Sequence, residues 1–149
     1  MKSFLSIRSK ARKLSGSEGF TLIELAVALA ILGILVAIAV PTYLNVRNRS
    51  YDSEAKQTLG EIRAVVWAHY LEQGEWPDDM EAVGYKVGTS GAYETERWQY
   101  TIDASSQSSP ADICAVGKTG EPTNGRAWRL TLETNGTSTL EGPNAAGCP

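Results

Sequence analysis

The chain has 149 residues, room for one domain but not comfortably for two. Its formal net charge of −3 is unevenly spread: residues 1–19 hold five basic residues against one acid, and the rest of the chain holds nine against sixteen. An acidic body argues against nucleic acid as its main partner, and the chain has no Cys-x-x-Cys, His-x-x-x-His or phosphate-binding glycine loop to suggest a metal, a cofactor or an enzyme.

Residues 1–19 carry Lys2, Arg8, Lys10, Arg12 and Lys13 among scattered Ser and Gly and read as a targeting segment. Phe20 to Val40 then gives 21 residues with a single charge, Glu24. At about 1.5 Å per residue this stretch can cross a hydrocarbon core of roughly 30 Å. The preceding basic residues are expected to hold the N-terminus in the cytoplasm and send the body out, outnumbering Arg47 and Arg49 on the far side. A secretory signal has a shorter apolar core followed by a small-x-small cleavage site. Here the small residue, Gly19, is on the basic side, so a cut after it removes the leader and leaves the apolar segment as the new N-terminus.

A lone carboxylate inside a membrane helix costs about 2.5–3.5 kcal/mol. Cleavage after Gly19 frees the Phe20 amine as a cation four residues from Glu24, which makes a local pairing possible; the alternative is a charge tolerated near the headgroups. Ala26, Ala30, Gly33 and Ala37 recur at helical i, i+4, i+7, i+11 spacing, either a stripe for close helix approach or simply good helix formers. Pro41 removes one backbone donor and crowds the preceding turn, so Gly33 and Pro41 bracket a segment able to lose helical bonds.

Beyond Pro41 the helical period continues. Tyr51, Ala55, Leu59, Ile62, Val66 and Tyr70 share one face with Val65 and His69 beside it, and Asp52 and Lys56 are spaced as an i, i+4 pair on another. Gly74 and Pro77 stop the helix, so one helix, open to a kink at Pro41, is expected from about Thr21 to about Gln73, roughly 80 Å long. Residues 74–97 read as a loop. Strand signals follow at Trp98, Tyr100 and Ile102, at Ile113 to Val116, and at Trp128, Leu130 and Leu132, with a tight turn at Asn135-Gly136 and a returning strand over Thr137 to Leu140. This order predicts an α+β fold. A long N-terminal helix, hydrophobic in its first half and amphipathic in its second, packs against a C-terminal antiparallel β-sheet over residues 98–149.

Cys114 and Cys148 lie in the distal third. An exported body would pair them and a cytosolic one would keep them reduced. A bridge would close a loop of about 35 residues, contribute about 2–4 kcal/mol and tie down an apolar-poor tail. Trp67, Trp76, Trp98 and Trp128 read as core or groove residues, and His69 as a partly buried one. Asp78 and Asp79 read as a solvated turn before a calcium site. Asn135-Gly136-Thr137 matches a glycosylation sequon, but the hairpin turn already explains it.

Gly19-Phe20-Thr21-Leu22-Ile23-Glu24-Leu25 resembles the class III signal motif of type IV pilins and pseudopilins, strongly over residues 19–50 and in general pattern beyond. Glu18 stands where that family often has a basic residue, and the leader is longer than the family's shortest. The resemblance implies a 1–19 leader removed by a prepilin peptidase after Gly19, N-methylation of Phe20, a membrane or filament-core helix half over 20–41, and a periplasmic or surface domain over 42–149. It implies that Glu24 of an incoming subunit meets the Phe20 amine of a neighbour in a helical homo-oligomer. It implies helix packing or melting around Gly33 and Pro41, and a Cys114–Cys148 disulfide loop on the filament surface.

The expected partners are further copies of the chain, the peptidase, an inner-membrane assembly platform with its motor ATPases, and the lipid bilayer before assembly. No cofactor, metal or catalytic residue is expected. The expected location is the inner membrane before assembly and an extracellular pilus afterwards, with adhesion, twitching motility or DNA uptake as family-level roles. The alternatives are a pseudopilin of a type II secretion system or a minor or competence pilin, the cysteine pair favouring a pilin. A signal-anchored periplasmic enzyme or a plain single-pass membrane protein would have no use for Glu24.

Overall fold

The computed structural model describes residues 19–104 and 110–148. All but the last residue of the expected leader lies outside the described residues. The chain divides into two compact units, residues 1–41 and 42–149.

In the first unit every residue from 19 to 41 is exposed. The helix α1, Leu22–Gln73, starts here and is helical through Pro41. It opens on Thr21, whose carbonyl accepts the Leu25 N–H at 3.2 Å.

The second unit sets the amphipathic part of α1 against a five-stranded antiparallel meander in the order β1-β2-β3-β4-β5. The strands are β1 (Tyr93–Glu94), β2 (Trp98–Asp103), β3 (Ala111–Gly117), β4 (Ala127–Leu132) and β5 (Ser138–Glu141). Ala55, Leu59, Ile62 and Val66 form the fully buried stripe of the helix, at the 3.6-residue period read from the sequence. Tyr51 and Tyr70 flank it, half-buried, while Val65 stays exposed. From the sheet, Trp98, Tyr100, Ile113, Ala115, Trp128, Leu130 and Leu132 join the same core, one side of each strand, as a period of two requires. The helix stops at Gly74, whose φ of +77° suits a residue without a Cβ and whose N–H closes the last turn on the Tyr70 carbonyl at 2.8 Å. Trp76 then folds back so that its ring stacks on Tyr70 at 4.0 Å.

Four local readings change. The expected loop 74–97 contains β1, which pairs Tyr93 with Tyr100; two residues are too few to show alternation in sequence. Asp52 and Lys56 do not form an i, i+4 pair. Asp52 accepts from Arg126 Nε at 3.0 Å and from Trp128 Nε1 at 3.2 Å, and Lys56 Nζ sits 4.1 Å from the centre of the Trp128 ring. A planar guanidinium and a cationic face on an indole compete successfully with a weak surface pair worth a few tenths of a kcal/mol. The returning strand runs over Ser138–Glu141 and not Thr137–Leu140, because the tight turn at Asn135-Gly136 is a three-residue loop. The Gly136 N–H bonds the Glu133 carbonyl at 2.9 Å, and only Gly136, at φ +83°, is left-handed, which makes a type I turn with a bulge. β3 exceeds the expected Ile113–Val116 at both ends, and both of its faces are covered near Cys114.

That second cover comes from the C-terminal segment. Cys114 points away from the helix yet is only 3% exposed, because it is bonded to Cys148 with a Cα–Cα distance of 5.6 Å. On the way the segment exchanges backbone hydrogen bonds with Ala127: the Ala127 N–H donates to Pro143 at 2.7 Å and its carbonyl accepts from Ala145 at 3.0 Å. A Cβ on Gly142 would lie 2.4 Å from the Trp128 ring, so only glycine allows this approach.

Two measurements test this packing. Replacing Cys114 and Cys148 together by Ser should lower the unfolding free energy by about 3 kcal/mol in denaturant titrations of the full chain in detergent. An unchanged midpoint would mean that the segment is held by its other contacts alone. The Glu94 carboxyl accepts from Lys118, Ser90 and Gln99 and is held below the usual carboxylate range, first by the Lys118 hydrogen bond. A carboxylate with a depressed folded pKa stabilises the fold above its unfolded value of about 4.3, and the contribution is lost as pH falls through the folded pKa. The Tm of the wild type should therefore exceed that of Glu94→Gln near neutrality and converge with it on acidification. A constant difference across that range would contradict the assignment.

Candidate functional site: the start of α1

The N-terminal end of α1 presents apolar side chains on every side. Phe20 is 90% exposed, and Leu22, Ile23, Leu25, Val27, Leu29, Ile31, Leu32 and Ile34 are each more than half exposed. This part of α1 is long and apolar enough to cross a membrane. A Cβ placed on Gly33 would meet nothing within 4 Å, so no contact inside the chain asks for glycine there.

Glu24 is the one charge in this surface. Its carboxylate is engaged locally: Oε2 accepts from the Thr21 backbone N–H at 2.9 Å and from the Thr21 hydroxyl at 2.8 Å. In return the Glu24 N–H donates to Thr21 Oγ1 at 3.3 Å. Thr21 precedes the first helical residue and Glu24 is third within the helix, so the pair is a reciprocal capping box that satisfies donors the helix start leaves open. A carboxylate here also lies at the positive end of the helix dipole. Thr21 was not singled out by sequence reasoning, although Thr-x-x-Glu before an apolar run signals this cap. The sequence-predicted residues Gly19, Phe20 and Glu24 thus lie within one turn of the helix start. With the chain uncut, the Phe20 nitrogen belongs to a peptide bond and carries no charge.

Elsewhere Asp79 and the four tryptophans have structural employment. Asp79 Oδ1 accepts the Ala82 N–H at 2.9 Å and shapes the turn after Trp76. No group of three or more His, Cys, Asp or Glu able to hold a metal occurs among the described residues. Trp76 and Trp98 are buried in the core and Trp128 nearly so, while Trp67 stacks on Tyr70 at 5.5 Å.

Residues 14–40 match the family described as the prokaryotic N-terminal methylation motif. Over 76 residues the chain is 43% identical to the fimbrial protein EcpC of Eikenella corrodens, covering 51% of this chain and 50% of that protein. It is 40% identical over 81 residues to the type IV major pilin protein PilE of Neisseria gonorrhoeae, covering 53% and 48% of the two chains. It is 38% identical over 77 residues to the type IV major pilin protein PilA of Myxococcus xanthus, covering 52% and 35%. The matched stretch spans about half or less of the length of these curated relatives. The resemblance to type IV pilins therefore holds at the level of sequence identity as well as motif, alongside a pilin-like α+β fold.

The capping box predicts that Thr21→Ala weakens the first turn of α1 by about 1 kcal/mol. Hydrogen exchange at residues 22–25 in detergent should accelerate about fivefold while the second unit is unaffected. Unchanged exchange would mean that the cap contributes nothing to the helix start.

Proposed function

We propose that this chain is the precursor of a structural subunit of a type IV pilus. The observation that carries the reading is the N-terminal part of α1, residues 22–41, apolar and exposed all round, whose one charge sits five residues past a glycine in a segment matching the N-terminal methylation motif. An exposed apolar surface of this size needs lipid or other copies of itself. In this reading a prepilin peptidase cuts between Gly19 and Phe20 and methylates the Phe20 amine, and residues 20–41 hold the subunit in the inner membrane until it enters the filament. The division of the chain at Pro41 supports the boundary between this anchor and the exported domain 42–149.

Glu24 is the assembly residue. Before assembly Thr21 supplies hydrogen bonds to its carboxylate, as in the capping box; in the filament the cationic Phe20 amine of a neighbouring subunit takes that place. A buried ion pair with one partner missing is heavily penalised, so only one axial register is tolerated. Gly33 allows close approach of neighbouring helices, and Pro41 with Gly33 marks where helical bonds are released on extraction from lipid. The filament is a homo-oligomer assembled on an inner-membrane platform, and the chain performs no chemistry of its own. That the named relatives are fimbrial proteins and major pilins favours a pilin over a pseudopilin or a minor pilin.

Glu24→Ala should reduce surface filaments at least tenfold, with processed subunits accumulating in the membrane fraction and the exported domain still disulfide-bonded. Electron microscopy of sheared filaments and immunoblots of both fractions read the outcome. Filaments of normal number and length would end the proposal for Glu24.

A further inference from the structure

The hairpin between β4 and β5 carries a motif that the filament reading leaves unused. Asn135-Gly136-Thr137 is the Asn-x-Thr sequence of N-glycan acceptors. The turn accounts for Gly136 through its left-handed backbone, and the Asx turn in which Asn135 Oδ1 accepts the Thr137 N–H suits asparagine. It makes no demand for a hydroxyl at residue 137.

At its turn the hairpin meets the helix through Gly136. Arg63 Nη2 donates to the Gly136 carbonyl at 3.1 Å, and a Cβ at residue 136 would sit 2.8 Å from the Trp67 ring. Asn135 and Thr137, on either side, are both exposed. Their side chains meet each other: Thr137 Oγ1 donates to Asn135 Oδ1 at 2.7 Å and the Thr137 N–H donates to the same oxygen at 2.9 Å. Two donors on Oδ1 favour the form of the amide with negative charge on oxygen, which makes an Nδ2 proton easier to remove. The acceptor nitrogen is thereby placed on the surface beside the hydroxyl that defines the motif.

We infer that Asn135 is an N-glycosylation site of the exported domain. The donor class is a sugar linked through a diphosphate to a membrane lipid. A bond forms between Asn135 Nδ2 and the anomeric carbon, the bond from that carbon to the diphosphate oxygen breaks, the lipid diphosphate leaves, and the Nδ2 proton passes to a base of the transferase. No electrons are exchanged with an outside reagent. The inference rests on the export topology proposed above, because the lipid-linked donor is used on the outer side of the inner membrane.

Mass spectrometry of the reduced tryptic peptide 130–149, from chain recovered from membrane and surface fractions of the source cells, tests it. The expected result is a mass raised by whole sugar residues, with fragments placing the increment on Asn135. N135D keeps an oxygen acceptor for both Thr137 hydrogen bonds, so the hairpin is retained, and it should lose the entire increment. T137A should lose it too, and T137S should keep it at a several-fold lower occupancy. A peptide at its unmodified mass, or an increment that survives N135D, overturns the inference. The N-terminal residue read from the same sample judges the filament reading separately. An uncut leader with an occupied Asn135 contradicts that reading alone, and a bare Asn135 contradicts the glycan whichever residue begins the chain.

Discussion

A single carboxylate in a helix that is otherwise free of charge for two dozen residues must keep a partner at every stage of its existence. Glu24 has one in the isolated chain, the backbone and hydroxyl of Thr21, at a helix start whose dipole also favours an anion. That arrangement needs no second subunit, and hydrogen bonds to the carboxylate lower the cost of placing it in lipid. It is also exchangeable: hydrogen bonds from neutral groups are weaker than a contact with a desolvated cation. Proteolysis at Gly19 would create such a cation at Phe20. In the proposed assembly the apolar surface around Glu24 supplies the drive for association but little direction, and the charge supplies register.

The second unit answers a different constraint, that of stabilising a small sheet with one helix. The helix contributes only four fully buried side chains, so large aromatic residues and the C-terminal segment complete the packing. Trp128 is where these contributions meet. Its Nε1 bonds Asp52, Lys56 covers its ring, and Gly142 passes against it on the way to Cys148. The disulfide thus secures a segment whose own side chains bury little, and through Trp128 its effect reaches the helix.

Much of this was readable from the chain. The stripe Ala55, Leu59, Ile62 and Val66 follows from period alone, and so do the alternating strands at Trp98 and Trp128, because each face has one neighbour to bury against. Readings that depended on partners distant in sequence were less secure. Asp52 is paired by Arg126, 74 residues away, which no local spacing announces. Cys114 looks like an outward-facing strand residue and is buried only because the tail crosses it. The β1 strand is two residues long and owes its existence to β2. At the helix start the local signal is complete, Thr-x-x-Glu, and it identifies Thr21 as the hydroxyl that holds Glu24.

The most direct measurement of the central claim is N-terminal sequencing with intact-mass analysis of the chain sheared from the surface of the source cells. The account predicts an abundant species that begins at N-methylated Phe20, with two hydrogens fewer than the reduced chain because Cys114 and Cys148 are joined. A chain that keeps its leader and begins near Met1 would contradict it, because the cation that Glu24 is proposed to meet would never be made.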